Sequence, residues 1–255
     1  MSILLSNDDG IDAPGLAALA DALSGLDDIY VSAPSGNRSG AGMAVTIGRD
    51  ITPRAYPDGP GGFKRVAVDG TPTDAMKYGL QFLVPDRPRL VASGINHGPN
   101  LGRNVRCSGT VGAAMEGLLW GIPALAASVD CVERPDWSGA KHYARLVAER
   151  ILAAGDAFQP VLLNLNVPAL PPEAIRGFAL VRHGTGGFNE YFVSGGSGGA
   201  FQLGGEWLDT PLGECCDAAA INRGYAVLTP MRFDMTDVQA LDRLRGDWDD
   251  LFCDL

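Results

Sequence analysis

The sequence predicts an α/β chain built on a doubly wound, mainly parallel sheet, and two patterns carry that prediction. Short apolar runs alternate with segments of helical periodicity over the first two-thirds of the 255 residues, the signature of βαβ units. Polar and glycine-rich residues follow directly on the ends of those runs, where an open parallel sheet places its ligand crevice.

The elements follow in order. Residues 3–6 read as a strand, and Leu16, Leu19, Ala20 and Leu23 give 14–23 one apolar helical face. Residues 29–33 read as a second strand, followed by a Gly/Ser/Asn loop over 35–42. A strand at 66–68, a helix over 72–83 and a strand at 90–93 come next. Beyond them the pattern predicts a helix over 110–120, a strand at 124–129, a helix over 138–154 and a strand at 161–165. From 184 to 205 the chain becomes glycine-rich around the apolar stretch 191–193, which predicts a protruding hairpin or flap. A strand at 225–229 returns, and 236–252 carries Val238, Leu241, Leu244 and Trp248 at helical spacing with Thr236 placed as N-cap. The expected organisation is one domain over 1–255, with a core of about 1–180 and a hairpin and tail of about 181–255.

Composition narrows the function classes. Forty-six per cent hydrophobic and 20% charged residues suit a soluble globular protein, and no apolar run approaches the ~18 residues of a membrane span. The N-terminus lacks a basic region ahead of its apolar stretch, so a cytoplasmic location is expected. Cys107, Cys131, Cys215, Cys216 and Cys253 form neither a disulfide framework nor a zinc motif. A net charge of −10 opposes binding to nucleic-acid polymers and anionic membranes, so an anionic ligand needs a metal ion or oriented amides.

The chemistry-bearing residues sit where strands end. The first strand runs into Ser6-Asn7-Asp8-Asp9-Gly10, the second opens onto Asn37-Arg38-Ser39-Gly40, and another runs into Ser93-Gly94-Ile95-Asn96. Paired carboxylates with neutral oxygens and no nearby cysteine suit a hard octahedral cation, Mg²⁺ or Mn²⁺. Adjacent Asp8 and Asp9 point the same way only where the backbone turns, and Gly10 permits that turn. The competing reading makes Asn-Asp-Asp-Gly a surface turn with Asp12 as a helix cap. Ser108-Gly109-Thr110 opens the helix of residues 110–120, and its free N–H groups suit a phosphate, although small residues there equally serve helix–sheet packing. His97 is a candidate general acid or phosphate ligand, against a plain solvated histidine. Neither a Walker A motif nor a Gly-x-Ser-x-Gly elbow is present.

Taken in order, these blocks resemble the stationary-phase survival protein (SurE) family of metal-dependent nucleotide phosphomonoesterases. The matching residues are 3–11 with Ala13-Pro14-Gly15, Ala33-Pro34, Asn37-Arg38-Ser39-Gly40, Asp69-Gly70-Thr71-Pro72 with Asp74, 93–102, 108–117, 164–168, and Gly224-Tyr225 through Thr229-Pro230. The resemblance implies a Rossmann-like core and a smaller C-terminal part whose hairpin and tail exchange between subunits of a homodimer or homotetramer. It implies one divalent ion per subunit held by Asp8, Asp9, Ser39 and Asn96, with Asn37, Ser39, Gly40, Asn96, Ser108, Gly109 and Thr110 around the phosphate and Asp8 and Asp9 as catalytic residues. Two positions depart from the family pattern: Asn104 and Cys107 stand where Asp and Tyr are usual, and 182–217 matches poorly. The expected reaction is hydrolysis of nucleoside 5′-monophosphates, with 3′-monophosphates as further candidates, by a metal-activated water. The rivals are a noncatalytic nucleotide-binding regulatory homologue and a dinucleotide-dependent oxidoreductase, the latter lacking its glycine fingerprint.

Overall fold

The computed structural model describes residues 1–133, 135–195, 199–208 and 215–247. In chain order the elements are β1 (Ser2–Ser6), α1 (Pro14–Leu23), β2 (Asp28–Pro34), β3 (Pro53–Tyr56), β4 (Lys64–Val68), α2 (Pro72–Tyr78), β5 (Leu90–His97), α3 (Gly109–Leu119) and β6 (Ala124–Asp130). They continue with α4 (Trp137–Ala154), β7 (Leu162–Pro168), β8 (Phe178–Leu180), β9 (Gly187–Ser194), β10 (Phe201–Leu208), α5 (Asp217–Asn222), β11 (Ala226–Met231) and α6 (Val238–Asp247).

The main sheet runs β3-β4-β2-β1-β5-β6-β7-β11-β8. From β4 across to β7 all strands are parallel; β3 and β11 pair antiparallel with their neighbours, and β8 follows the direction of β11. Helices cover both faces. Ile3 and Leu5 pack with α1 and α4 on one side, while Leu4 packs with Met76 of α2 and Ala113 of α3 on the other. Burial on both sides explains why the strands read as continuous apolar runs rather than alternating ones. Each core leucine so buried contributes about 1.5–3 kcal/mol; Leu16, Leu19 and Leu23 hold α1 in this way.

The sheet reverses its winding between β1 and β5: the chain progresses from β1 outward through β2 to β4, then returns to β5 and proceeds the other way. Loops at the C-terminal ends of β1 and β5 therefore diverge and leave a crevice between them.

Several sequence expectations need correction. β3 and β8 were not anticipated, because both are short edge strands of mixed exposure that carry no clean period. The strand expected at 90–93 continues to His97, passing a register irregularity against β6 between Ser93 and Asn96. The helix expected over 72–83 is α2 followed by a π-helical turn, Gly79–Leu83. Asp12 does not cap α1: the cap position is Ala13, with no side-chain bond, and the Asp12 carboxylate accepts from the Tyr56 hydroxyl. Thr236 does not cap α6 either, since Asp237 Oδ1 accepts from Ala240 N at 2.9 Å. Residues 248–252 of that expected helix, Trp248 among them, lie outside the described residues, as does Cys253. No helix among the described residues is long and apolar enough to cross a membrane.

Candidate active site

Asn7 builds the turn that presents both carboxylates. It is fully buried, and its side chain brackets Gly10, accepting from Gly10 N at 3.2 Å and donating to Gly10 O at 2.9 Å. Gly10 itself has φ +107°, and a Cβ there would lie 3.0 Å from the Gly36 carbonyl carbon. Only glycine satisfies both conditions without strain.

The tight turn sends Asp8 inward and leaves Asp9 half-buried. Asp8 accepts from the Thr110 hydroxyl and from the backbone N–H groups of Gly109 and Thr110 at the start of α3. Burial pushes its carboxyl above the ordinary value, and those hydrogen bonds only partly oppose the rise. Asp9 is raised by burial and then by the charge of Asp8, opposed by the backbone N–H of His97, which lies 3.4 Å from Oδ2. Asn37 Nδ2 lies 3.4 Å from Asp9 Oδ1.

The 35–40 loop is pinned over this pair. Arg38 N donates to Asp8 O at 2.7 Å, and the Arg38 guanidinium reaches Gly70 O and Asp69 on the far side. Ser39 is exposed, its N–H donating to Asn37 Oδ1 at 2.9 Å, and Gly40 follows at φ +81°. From β5, Asn96 donates through Nδ2 to the carbonyls of His97 and Gly98, which leaves its amide oxygen as the end available to a ligand. His97 packs edge-on against Trp137, with ring centroids 4.8 Å apart, and its Nδ1 lies 3.8 Å from Asp9 Oδ2.

The opening of α3 completes the rim. The Ser108 hydroxyl accepts from Val111 N at 3.1 Å as the N-cap, so its oxygen is already committed to the helix. Gly109 is small for a definite reason: a Cβ would come within 2.7 Å of Asp8 Cβ and 2.9 Å of Pro72. The anion that this helix start holds is thus the Asp8 carboxylate itself.

Contacts link Asp8, Asp9, Asn37, Gly109 and Thr110 directly. Asn96 joins them through its neighbour His97, Ser39 through its N–H on Asn37 Oδ1, and Gly40 through Ser39. No cluster of three or more His, Cys, Asp or Glu side chains suited to a metal exists among the described residues. The donor set instead mixes two carboxylates with neutral oxygens, as a hard cation prefers. The largest cavity described, about 690 Å³, lies at the opposite rim beside Asp28 and Lys64, where β2 and β4 begin, and holds none of these donors.

Sequence reasoning missed two supporting networks. Fully buried Asp217 accepts from Gly102 N, Gly184 N and Ala218 N, each at 2.8 Å, and faces His183 Nδ1 at 2.9 Å. It thereby fastens the base of the hairpin to the turn of residues 102–107 that runs into Ser108. Asn164 and Asn166 of β7 both donate to Asn100 O, and Asn166 accepts from Asn100 N at 2.7 Å. Two asparagines on the same face of an apolar strand were a readable signal of a buried polar task; Asp217, beside the glycine-rich segment, offered none. Asn104 accepts from Phe188 N at 2.9 Å and so ties the turn to β9.

Comparison with known proteins points one way. Residues 3–190 match the family described as Survival protein SurE. The chain is 37% identical to a 5′-nucleotidase SurE from Heliobacterium modesticaldum, covering 97% of this chain and 92% of that one. It is 40% identical to a 5′/3′-nucleotidase SurE from Shigella dysenteriae, covering 97% and 96%. Its fold matches the crystal structure of the SurE protein from Aquifex aeolicus with a TM-score of 0.83 at 32% identity, covering 98% of this chain and 100% of that one.

Proposed function

The chain belongs to the SurE family, and we propose that it is a divalent-metal-dependent phosphomonoesterase that hydrolyses nucleoside 5′-monophosphates, and 3′-monophosphates as a second substrate class, to nucleoside and phosphate. One observation carries the reading: two adjacent carboxylates lie together at the switch point of the sheet, both pushed up by burial, with no lysine or arginine among the described residues bonded to either. Such a pair wants a cation.

The residues present fit that cation. Asp8 and Asp9 supply the charge, while Ser39 and Asn96 supply neutral oxygens. One Mg²⁺ or Mn²⁺ per subunit, held by Asp8, Asp9, Ser39 and Asn96, would supply Lewis-acid charge and a water of lowered pKa at this site. Asn37, Gly40, Ser108, Gly109 and Thr110 are the residues that would lie around the phosphate, with Gly109 and Thr110 acting through the Asp8 carboxylate they hold. Thr110 and the first N–H groups of α3 fix the Asp8 carboxylate, and His97 N–H fixes Asp9. Both acids are thus oriented before substrate arrives.

Two further assignments belong to this reading. The chain works in the cytoplasm, where Cys107, Cys131, Cys215 and Cys216 stay reduced. It assembles as a homodimer or homotetramer through the β9–β10 hairpin, which pairs with no other strand among the described residues and exposes Phe192, Phe201 and Leu203 by 73%, 66% and 62%.

A phosphate-release screen over nucleotides with Mg²⁺, Mn²⁺ or chelator, run beside Asp8→Asn, tests the assignment. Release that needs the ion and falls by at least about 100-fold in the variant is expected. Nucleotide binding without release from any monophosphate would favour a noncatalytic regulatory role, and a phosphoenzyme trapped on Asp8 would overturn direct attack by water.

A further inference from the structure

A second cavity lies beyond the C-terminal end of β6. It measures about 230 Å³ and is lined by Pro99, Leu101, Asp130, Trp207, Ile221 and Asn222. That is somewhat below the roughly 300–1,000 Å³ of pockets for drug-sized ligands, and of the order of one nucleoside.

Its position is set by the strands. Pro99 lies three residues beyond Asn96, so the chain separates them by no more than about 11 Å. Val129 pairs with His97 in the parallel ladder, which puts Asp130 one residue further along β6 and about one strand spacing, ~4.8 Å, to the side. Gly98 N donates to Cys131 O at 3.1 Å and closes the two chain ends together. The acid therefore stands next to the ligand-bearing end of β5, and Trp207 and Asn222 line the same cavity.

The walls are rigid. Leu101 is buried against Ala220, Ile221 and Val227, and Asp217 holds the next residue, Gly102. The Asn100–Asn166 bonds hold the preceding one. Asp130 has no hydrogen-bonding or ionic partner among the described residues. Although the residue is exposed, the surrounding protein pushes its carboxyl above the ordinary value, and no donor or cation among the described residues opposes that shift. An acceptor-only group without donors, beside an exposed indole, matches a ligand offering hydroxyl donors near a planar ring.

We infer that this cavity is the nucleoside subsite, in which the Asp130 carboxylate accepts from the ribose 2′- and 3′-hydroxyls and Trp207 stacks on the base. The inference rests on the nucleotidase reading and adds a substrate preference to it. Stacking tolerates every base, whereas a carboxylate aimed at the sugar discriminates ribose from 2′-deoxyribose. Asp130 is then a determinant of sugar specificity and takes no part in phosphorus chemistry.

The test measures kcat/KM for AMP, 2′-deoxy-AMP and p-nitrophenyl phosphate with Mn²⁺, in the wild-type chain, Asp130→Ala and Trp207→Ala. The wild type is expected to favour AMP over 2′-deoxy-AMP by about tenfold, the worth of one hydrogen bond to a charged acceptor. Asp130→Ala should collapse that ratio towards one, mainly through KM for AMP. Trp207→Ala should weaken both nucleotides by a similar factor and keep the ratio. Phosphate release from p-nitrophenyl phosphate and from both nucleotides, with equal kcat/KM for AMP and 2′-deoxy-AMP or a ratio untouched by Asp130→Ala, overturns the subsite alone. Release from none of the three overturns the nucleotidase reading and the subsite with it.

Discussion

Replacing Asp217 with asparagine alters a single atom type in a fully buried hub, and the structure sets the size of the effect. Asp217 Oδ1 accepts from Gly184 N and Ala218 N, while Oδ2 accepts from Gly102 N and faces His183 Nδ1. The new amide nitrogen has to take one of the two positions. At Oδ1 it would oppose two amide donors, so it takes Oδ2, facing Gly102 N and His183 Nδ1. Gly102 N–H then loses its partner in a buried setting, which costs about 1–3 kcal/mol, and the two bonds kept at Oδ1 fall from charged to neutral strength, about 0.5–1 kcal/mol each. The expected loss is about 3 kcal/mol. For a chain of this size that corresponds to a drop in Tm of about 6–12 °C, measurable by calorimetry and by urea unfolding at pH 7. Because Gly102 opens the turn that runs into Ser108, phosphate release should fall as well. A stability loss below about 1 kcal/mol would refute the reasoning, since it would mean that Gly102 N–H and the hairpin base do not depend on this carboxylate.

Three further outcomes are expected. Gly109→Ala places a methyl group 2.7 Å from Asp8 Cβ; moving Asp8 by about 1 Å should cost about 100-fold in phosphate release, and an assay showing less than a fivefold change would contradict the placement of Asp8. Asp74 is buried, which alone would raise its carboxyl, but bonds from Thr46 and from the Thr71 capping box bring it below the ordinary value. A carboxyl lowered on folding stabilises the chain above its unfolded pKa and loses that contribution as pH falls towards the folded value. Urea midpoints of the wild type should therefore drop faster between about pH 5 and pH 3 than those of Asp74→Ala, and parallel curves would argue against it. Phe192→Asp with Phe201→Asp should shift the chain to a smaller assembly in light scattering while its far-UV circular dichroism stays unchanged, because both rings are exposed in the single chain; an unchanged mass would exclude the hairpin as the contact.

Much of this protein was legible before any fold was available. Continuous apolar runs identified β1, β2, β5, β6 and β7 because burial on both faces removes the need for alternation. The block Asn7-Asp8-Asp9-Gly10 marked a turn because no regular strand can aim two neighbouring side chains at one ion. Local sequence also marked the helix starts at Pro14 and Pro72 and, within one residue, at Gly109, while the capping by Thr71 and Ser108 emerged only from the structure.

Tertiary structure decided the rest, because it depends on partners far apart in the chain. Asp12 could serve α1 as a cap, yet it bonds Tyr56, 44 residues away. Asp217 gains its meaning from Gly102, 115 residues distant, and Asn166 from Asn100, 66 residues distant. The second cavity exists only where the end of β6, the 99–101 loop, the hairpin and α5 meet. A residue's own type declares which bonds it can make; which of them it does make is settled by what the packed sheet brings within about 3 Å of it.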